Sequence, residues 1–226
     1  MEENKVNSKK IKISLIINVM IVVFTVIASI MMFTGFKFTP EAESELESTK
    51  LSMLKFFTVE SNLLMGIVAL IFAIQEIKLL NGKIEDISFK MYILKLMSTT
   101  AVGLTFVVVF AYLGPISKGG IPVMLRNSNL FFHLLIPVIS MMDFAFFEKT
   151  DKIKLKHTLY GLIPTALYEV FYLSNIFIHM ENGKVSPVYD WYWFVQIGVW
   201  TAAIVAPLIL VITYIISWIL WKLNQK

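Results

Sequence analysis

Two polar side chains lie inside apolar runs of this chain with the types needed for a nucleophile and its base. Thr58 sits in Phe57-Thr58-Val59-Glu60-Ser61-Asn62 and His133 in Asn129-Leu130-Phe131-Phe132-His133-Leu134-Leu135-Ile136-Pro137. A hydroxyl whose proton is taken by an imidazole can attack an acyl carbonyl. Each residue also has an ordinary reading. Thr58 can bond the carbonyl of residue 54, and Asn62, four residues on and on the same helix face, can tie helices together. His133 can be a packed histidine bonded to a neighbouring helix. Pro137 has no N–H to give to the carbonyl of residue 133, so that carbonyl is expected to be free and the helix kinked there.

The elements that must hold these groups are transmembrane helices. Of 226 residues 57% are hydrophobic and 16% charged, against roughly 25% charged in a soluble domain. A helix crossing the hydrocarbon layer needs ~20 mostly apolar residues. Six windows qualify: 13–36, 52–75, 91–113, 128–147, 158–179 and 194–221. The expected fold is therefore an all-α membrane protein, one domain of six transmembrane helices. The first window is too long for a signal-peptide core and no A-x-A site follows it.

Loop charges orient the helices. Lys5, Lys9, Lys10, Lys12, Lys78, Lys83, Lys90, Lys149, Lys152, Lys154, Lys156, Lys222 and Lys226 give 13 cations on one side. Lys37, Lys50, Lys118, Arg126 and Lys184 give five on the other, with Lys55 and Lys95 inside spans. The positive-inside rule puts both termini in the cytoplasm. Glu41, Glu43, Glu45 and Glu47 in the first outer loop fit an extracytoplasmic face. Trp191, Tyr192 and Trp193 at one end of the last span, and Trp218 and Trp221 at the other, read as interfacial belts.

With this topology spans two and four both start at the outer face. Thr58 lies six residues past Ser52 and His133 five past Ser128, depths of ~9 Å and ~8 Å at the helical rise. Equal depth permits a pair without requiring contact. In span five Pro164, Tyr168 and Tyr172 share one face, with Asn175 nearby. Glu169 falls near the bilayer centre, either as a proton relay or bonded to Tyr112, Ser98 or Thr105. Asp143 is expected to anchor the inner end of span four or to pair with a lysine of the 149–156 loop. His157 and His179 bracket span five as boundary residues, and the 12 methionines fill packing gaps.

Much chemistry is excluded. The chain has no cysteine, hence no disulfide or thiolate site. No phosphate loop, dinucleotide glycine turn, H-E-x-x-H zinc helix or G-x-S-x-G elbow occurs. No cofactor or metal is expected. Nucleic acid is discounted as a partner because Arg126 is the only arginine among 20 basic residues.

Three segments resemble those of the bacterial Pr-six-Pr membrane proteins. Phe57 to Asn62 resembles their F-T-x-x-S-N segment. His133, Pro137 and Asp143 resemble H-x-x-x-P-x5-D, and Pro164, Tyr168 and Tyr172 resemble P-x3-Y-x3-Y. Pro187 and Asp190 match their Y-P-F-L-D stretch in part, with Ser186, Val188 and Tyr189 at the other positions. The resemblance spans roughly residues 50–220. These proteins are similar to the eukaryotic androgen-induced six-span hydrolases, which act on fatty acid esters of hydroxy fatty acids through a threonine and a histidine. The resemblance implies a threonine hydrolase in a plasma membrane, with Thr58 and His133 catalytic and a long-chain acyl ester as substrate. Asn62, Ser61, Asn129, Tyr168, Tyr172, Glu169 and Asp190 would then support the site or bind substrate, with Asn62 or Tyr172 as oxyanion donor. The competing expectation is a non-enzymatic small transporter, lipid-binding protein or scaffold.

Overall fold

A computed structural model describes residues 2–39, 48–117, 119–195 and 198–225, with side chains from Ser8 onward. The acidic run 41–47, Lys118 and Lys226 lie outside the described residues. Among the described residues six helices are long and apolar enough to cross a membrane. They are α1 (Ser8–Thr34), α2 (Phe57–Leu80), α3 (Phe89–Ile116), α4 (Ser128–Phe147), α5 (Leu155–Ile178) and α6 (Val199–Asn224). No strand occurs among these residues beyond one isolated bridge, Glu181 to Lys184.

The bundle is inside-out relative to a soluble protein. On α6, Ile204, Leu208, Val211, Ile215 and Ile219 repeat at helical spacing on the exposed face, while Thr213 and Ser217 are buried. Outward apolar stripes need a hydrocarbon solvent, and the helices satisfy their own backbone groups there. α3 is the central helix, packed against α2, α4, α5 and α6. Its small buried Ser98, Thr99, Thr100, Ala101, Gly103 and Thr105 let the neighbouring backbones approach. At Gly66 a Cβ would meet the Thr25 side chain at 2.7 Å, which is how closely α1 and α2 cross.

Two helices start later than the sequence suggests. Span two begins at Phe57 rather than 52, because residues Lys50–Lys55 form a 3-10 turn and Phe56 is extended. Span six begins at Val199 rather than 194. The preceding chain turns because the Asp190 carboxylate accepts the N–H groups of Phe194 (2.8 Å) and Val195 (3.1 Å).

The expected kink in α4 takes the form of a π turn over Phe131–Leu135. In this wider register Ile136 N–H reaches the Phe131 carbonyl, so the carbonyl that Pro137 leaves unmet is that of Phe132, not of His133. Asn62 supplies the missing donor, its Nδ2 lying 3.1 Å from the Phe132 oxygen. A second π turn, Val109–Leu113, precedes Pro115, and a third, Asp143–Phe147, ends α4.

Both chain ends lie on one face. Asn224 donates to the carbonyls of Phe144 and Glu148 (2.6 and 2.8 Å), and Ser14 Oγ lies 3.4 Å from Glu148. Near that face α1 to α4 bury an ionic cluster. Lys95 Nζ sits 2.5 Å from Glu148 and 3.2 Å from Asp143, over the Phe72 ring, and also bonds Asn18 Oδ1. Glu76 joins through Asn18 Nδ2 at 3.2 Å. Asp143 thus pairs with Lys95 from inside α3 rather than with the 149–156 loop. Lys149 instead bonds the Leu223 carbonyl, and Lys152 pairs with Asp86.

Candidate functional site

On the opposite face a cavity of about 80 Å³ is lined by both Thr58 and His133. Met31, Met32, Val59 and Phe132 are among its apolar lining residues, and Lys37, Arg126, Asn127, Ser128 and Asn129 among its polar ones.

Thr58 is half-buried in the first turn of α2. Its hydroxyl does not bond the carbonyl of residue 54, because the break at Phe56 separates the two. Among the described residues that hydroxyl has no partner, while its carbonyl accepts from Ser61 Oγ (3.1 Å) and Asn62 Nδ2 (2.7 Å). The first N–H groups of a helix lack intrahelical acceptors and carry partial positive charge, which favours negative charge on an oxygen placed there.

His133 is buried, and its Nδ1 lies 2.7 Å from the Met124 carbonyl. A carbonyl only accepts, so Nδ1 carries the proton and Nε2 keeps its lone pair in the neutral ring. Met124 ends the short helix Gly120–Met124, whose last carbonyls need such a donor. Asn127, at φ 54°, ties this segment to the end of α1 by accepting from Phe38 N–H at 2.7 Å and Thr39 N–H at 3.1 Å.

Asn62 is the joint between the two candidate residues. Its Nδ2 bridges the Thr58 carbonyl on α2 and the Phe132 carbonyl next to His133 on α4. It does not line the cavity, so it positions the pair and is not an oxyanion donor. Replacing it with alanine should leave the Phe132 carbonyl without its donor, at a cost of about 2 kcal/mol. Thermal unfolding in detergent checks this, and an unchanged midpoint would assign the Phe132 carbonyl another donor.

Tyr172 does not reach the cavity either. It donates to Asp190 at 2.6 Å and accepts from Tyr192 N–H at 2.9 Å. The same Asp190 carboxylate fixes the loop that carries Tyr192. From the sequence alone Tyr192 is expected only as part of an interfacial belt. It lines the cavity, and its hydroxyl accepts the Phe57 N–H at 3.0 Å, directly beside Thr58. Burial pushes its phenol up to about 12, so it stays protonated and able to donate. Nothing in the sequence distinguished it from Trp191 and Trp193. The signal is its contact with the start of α2.

The remaining candidates divide by location. Asn129 lines the cavity. Ser61 turns to α3, 3.2 Å from Thr105. Tyr168 donates to the Lys55 carbonyl at 2.6 Å. With Phe57, Glu60, Leu64 and Leu167 it borders a groove of about 270 Å³ between α2 and α5. Glu169 is buried with Oε1 unpartnered. None of its three expected partners bonds it. Thr105 pairs with Ser61, Ser98 bonds the Lys95 carbonyl, and Tyr112 is 54% exposed. His157 and His179 do stand at the two ends of α5, the first against the Phe89 ring and the second stacked on Tyr189 at 3.7 Å. Among the described residues no group of three acidic or histidine side chains could hold a metal ion.

No protein-family model, curated protein or solved structure matches this chain.

Proposed function

We propose that this chain is an intramembrane hydrolase of long-chain acyl esters, with Thr58 as nucleophile and His133 as base. The observation that carries the reading is one cavity lined by a first-turn threonine and by a histidine whose Nδ1 is committed to a carbonyl. In the proposed reaction His133 Nε2 takes the Thr58 proton as the threonine oxygen attacks the ester carbonyl. The protonated imidazole then protonates the leaving alcohol, and water, activated by the same nitrogen, releases the acid and restores Thr58. Tyr192 donates to the carbonyl oxygen as it becomes negative. The apolar part of the cavity lining, from Met31, Met32, Val59 and Phe132, suits an acyl chain. The resemblance of three segments to those of the Pr-six-Pr proteins adds to this reading, and the same proposal puts the chain in a bacterial plasma membrane with cytoplasmic termini.

Labelling purified protein with a lipophilic fluorophosphonate tests the reading. Labelling that is lost in both Thr58→Ala and His133→Ala supports it, and no labelling of folded native protein removes it. Tyr192→Phe should lower kcat about 10²-fold, as loss of one oxyanion donor does, with little change in KM. An equal rise in KM alone would make Tyr192 a binding residue. The competing reading, a proton-coupled transporter, is favoured by the buried carboxylates Glu76, Asp143 and Glu169. Proton-dependent solute flux in liposomes that Glu169→Gln abolishes would support it.

A further inference from the structure

The buried cluster on the face bearing both termini is distinct from the cavity and unused by the proposed reaction. Glu76, Asp143 and Glu148 bring three carboxyl groups to a single ammonium, Lys95, and all four side chains are buried. If every group were ionised, the site would hold two uncompensated negative charges away from water. A protein interior does not tolerate that without a counter-charge. Among the described residues no neighbour supplies one. Lys152 is paired with Asp86, Lys149 gives its ammonium to the Leu223 carbonyl, and α3 adds only the phenol of Tyr92. From α1 come Ser14 and Asn18, both neutral.

Hydrogen bonding gives a second, independent count. Asn18 Nδ2 has two protons but faces five oxygens at 3.1–3.2 Å: Ser14 O and Oγ, Glu76 Oε2, Asp143 Oδ2 and Glu148 Oε1. Asp143 Oδ1 and Glu148 Oε2 are fully buried and have no donor at all. Asp143 and Glu148 also share Lys95 and Asn18 as donors, so their carboxyl groups crowd one another. The site is short of both positive charge and donors, and a proton on a carboxyl group supplies both.

We propose that this cluster is a proton-binding site that holds two exchangeable protons in the resting fold. The short 2.5 Å contact makes Lys95 and Glu148 the ion pair. Asp143, farther from Lys95 at 3.2 Å, and Glu76, reached only through Asn18, carry the protons. The site is then neutral. Because its members come from α1, α2, α3 and α4, releasing the protons places repelling charges between four helices and loosens them together.

Infrared spectroscopy of the full chain at neutral pH, in a detergent without ester groups, tests this. The variant Glu76→Gln/Asp143→Asn replaces each acid by the amide that mimics its neutral form. The native-minus-variant spectrum should show loss of a carboxylic C=O band that shifts in D2O. Loss of ionised carboxylate bands instead would overturn the proposal. Each single variant should lose about half the band, which keeps the test intact if the double variant does not fold. The folded state would bind protons that the unfolded chain releases, so the melting temperature should fall as pH rises, and less steeply in the variant. A melting temperature that rises with sodium in place of choline, with no carboxylic band, would overturn the proposal by assigning the site a metal cation.

Discussion

Thr58→Ala should reduce ester turnover and fluorophosphonate labelling to background, a drop of at least ~10³-fold, in a protein that still folds. The two halves of this result have separate grounds. The hydroxyl makes no hydrogen bond among the described residues and its side chain is half-buried, so its removal orphans nothing. Alanine is also the best helix former. The chemistry, however, would lose the only atom able to form the acyl intermediate. His133→Ala should fall as far, and the double variant no further, because residues acting as one unit are not additive. Thr58→Ser should keep activity at a reduced level, since serine restores the oxygen without the stiff χ1 of a β-branched chain. Full turnover in Thr58→Ala would end the threonine mechanism and leave the cavity as a binding site.

The sequence carried the spans and the cavity pair well, because hydropathy and proline positions act locally. Six windows became six helices, and Thr58 and His133 line one cavity. The position of Thr58 on its helix differs from the expected one. Thr58 is not two turns down a helix that starts at 52 but in the first turn of one that starts at Phe57. That start depends on Tyr192, 135 residues away, which no local pattern encodes. The ionic cluster was illegible for the same reason. Lys95, Glu76 and Asn18 each look like isolated anomalies in apolar runs, and their rotation about their own helices decides that they meet. In the sequence Lys95 is one lysine just inside a span, and a lysine at zero exposure there needs a carboxylate partner.

Lys95→Ala is the substitution expected to cost the fold most, about 3–5 kcal/mol, the usual penalty for stripping one partner from a buried ion pair. Glu148 loses its partner at 2.5 Å, Asn18 Oδ1 loses its donor and Phe72 loses the cation over its ring at 4.8 Å. The result should be low expression or a sharply lowered melting temperature in detergent. Lys95→Met with Glu148→Gln removes both members of the pair while keeping volume, and should recover most of the loss. If the double variant were as unstable as Lys95→Ala, the damage would lie in packing against Phe72 and not in charge. The Thr58 cavity lies at the opposite face, so labelling per folded molecule should be unchanged in the double variant.

The π turns of α4 place a constraint on how this chain can change. A π turn is an α-helix carrying one extra residue, and α4 has one at His133 and another starting at Asp143. Deleting one residue between these positions would shorten the rod and swing its two ends by about 100° relative to each other. His133 and Asp143 could not then both face inward. The ten-residue interval from His133 to Asp143 is therefore a fixed gauge length. Descendants of this sequence are free to exchange side chains within it, but an insertion or deletion there must be matched by another that restores the count.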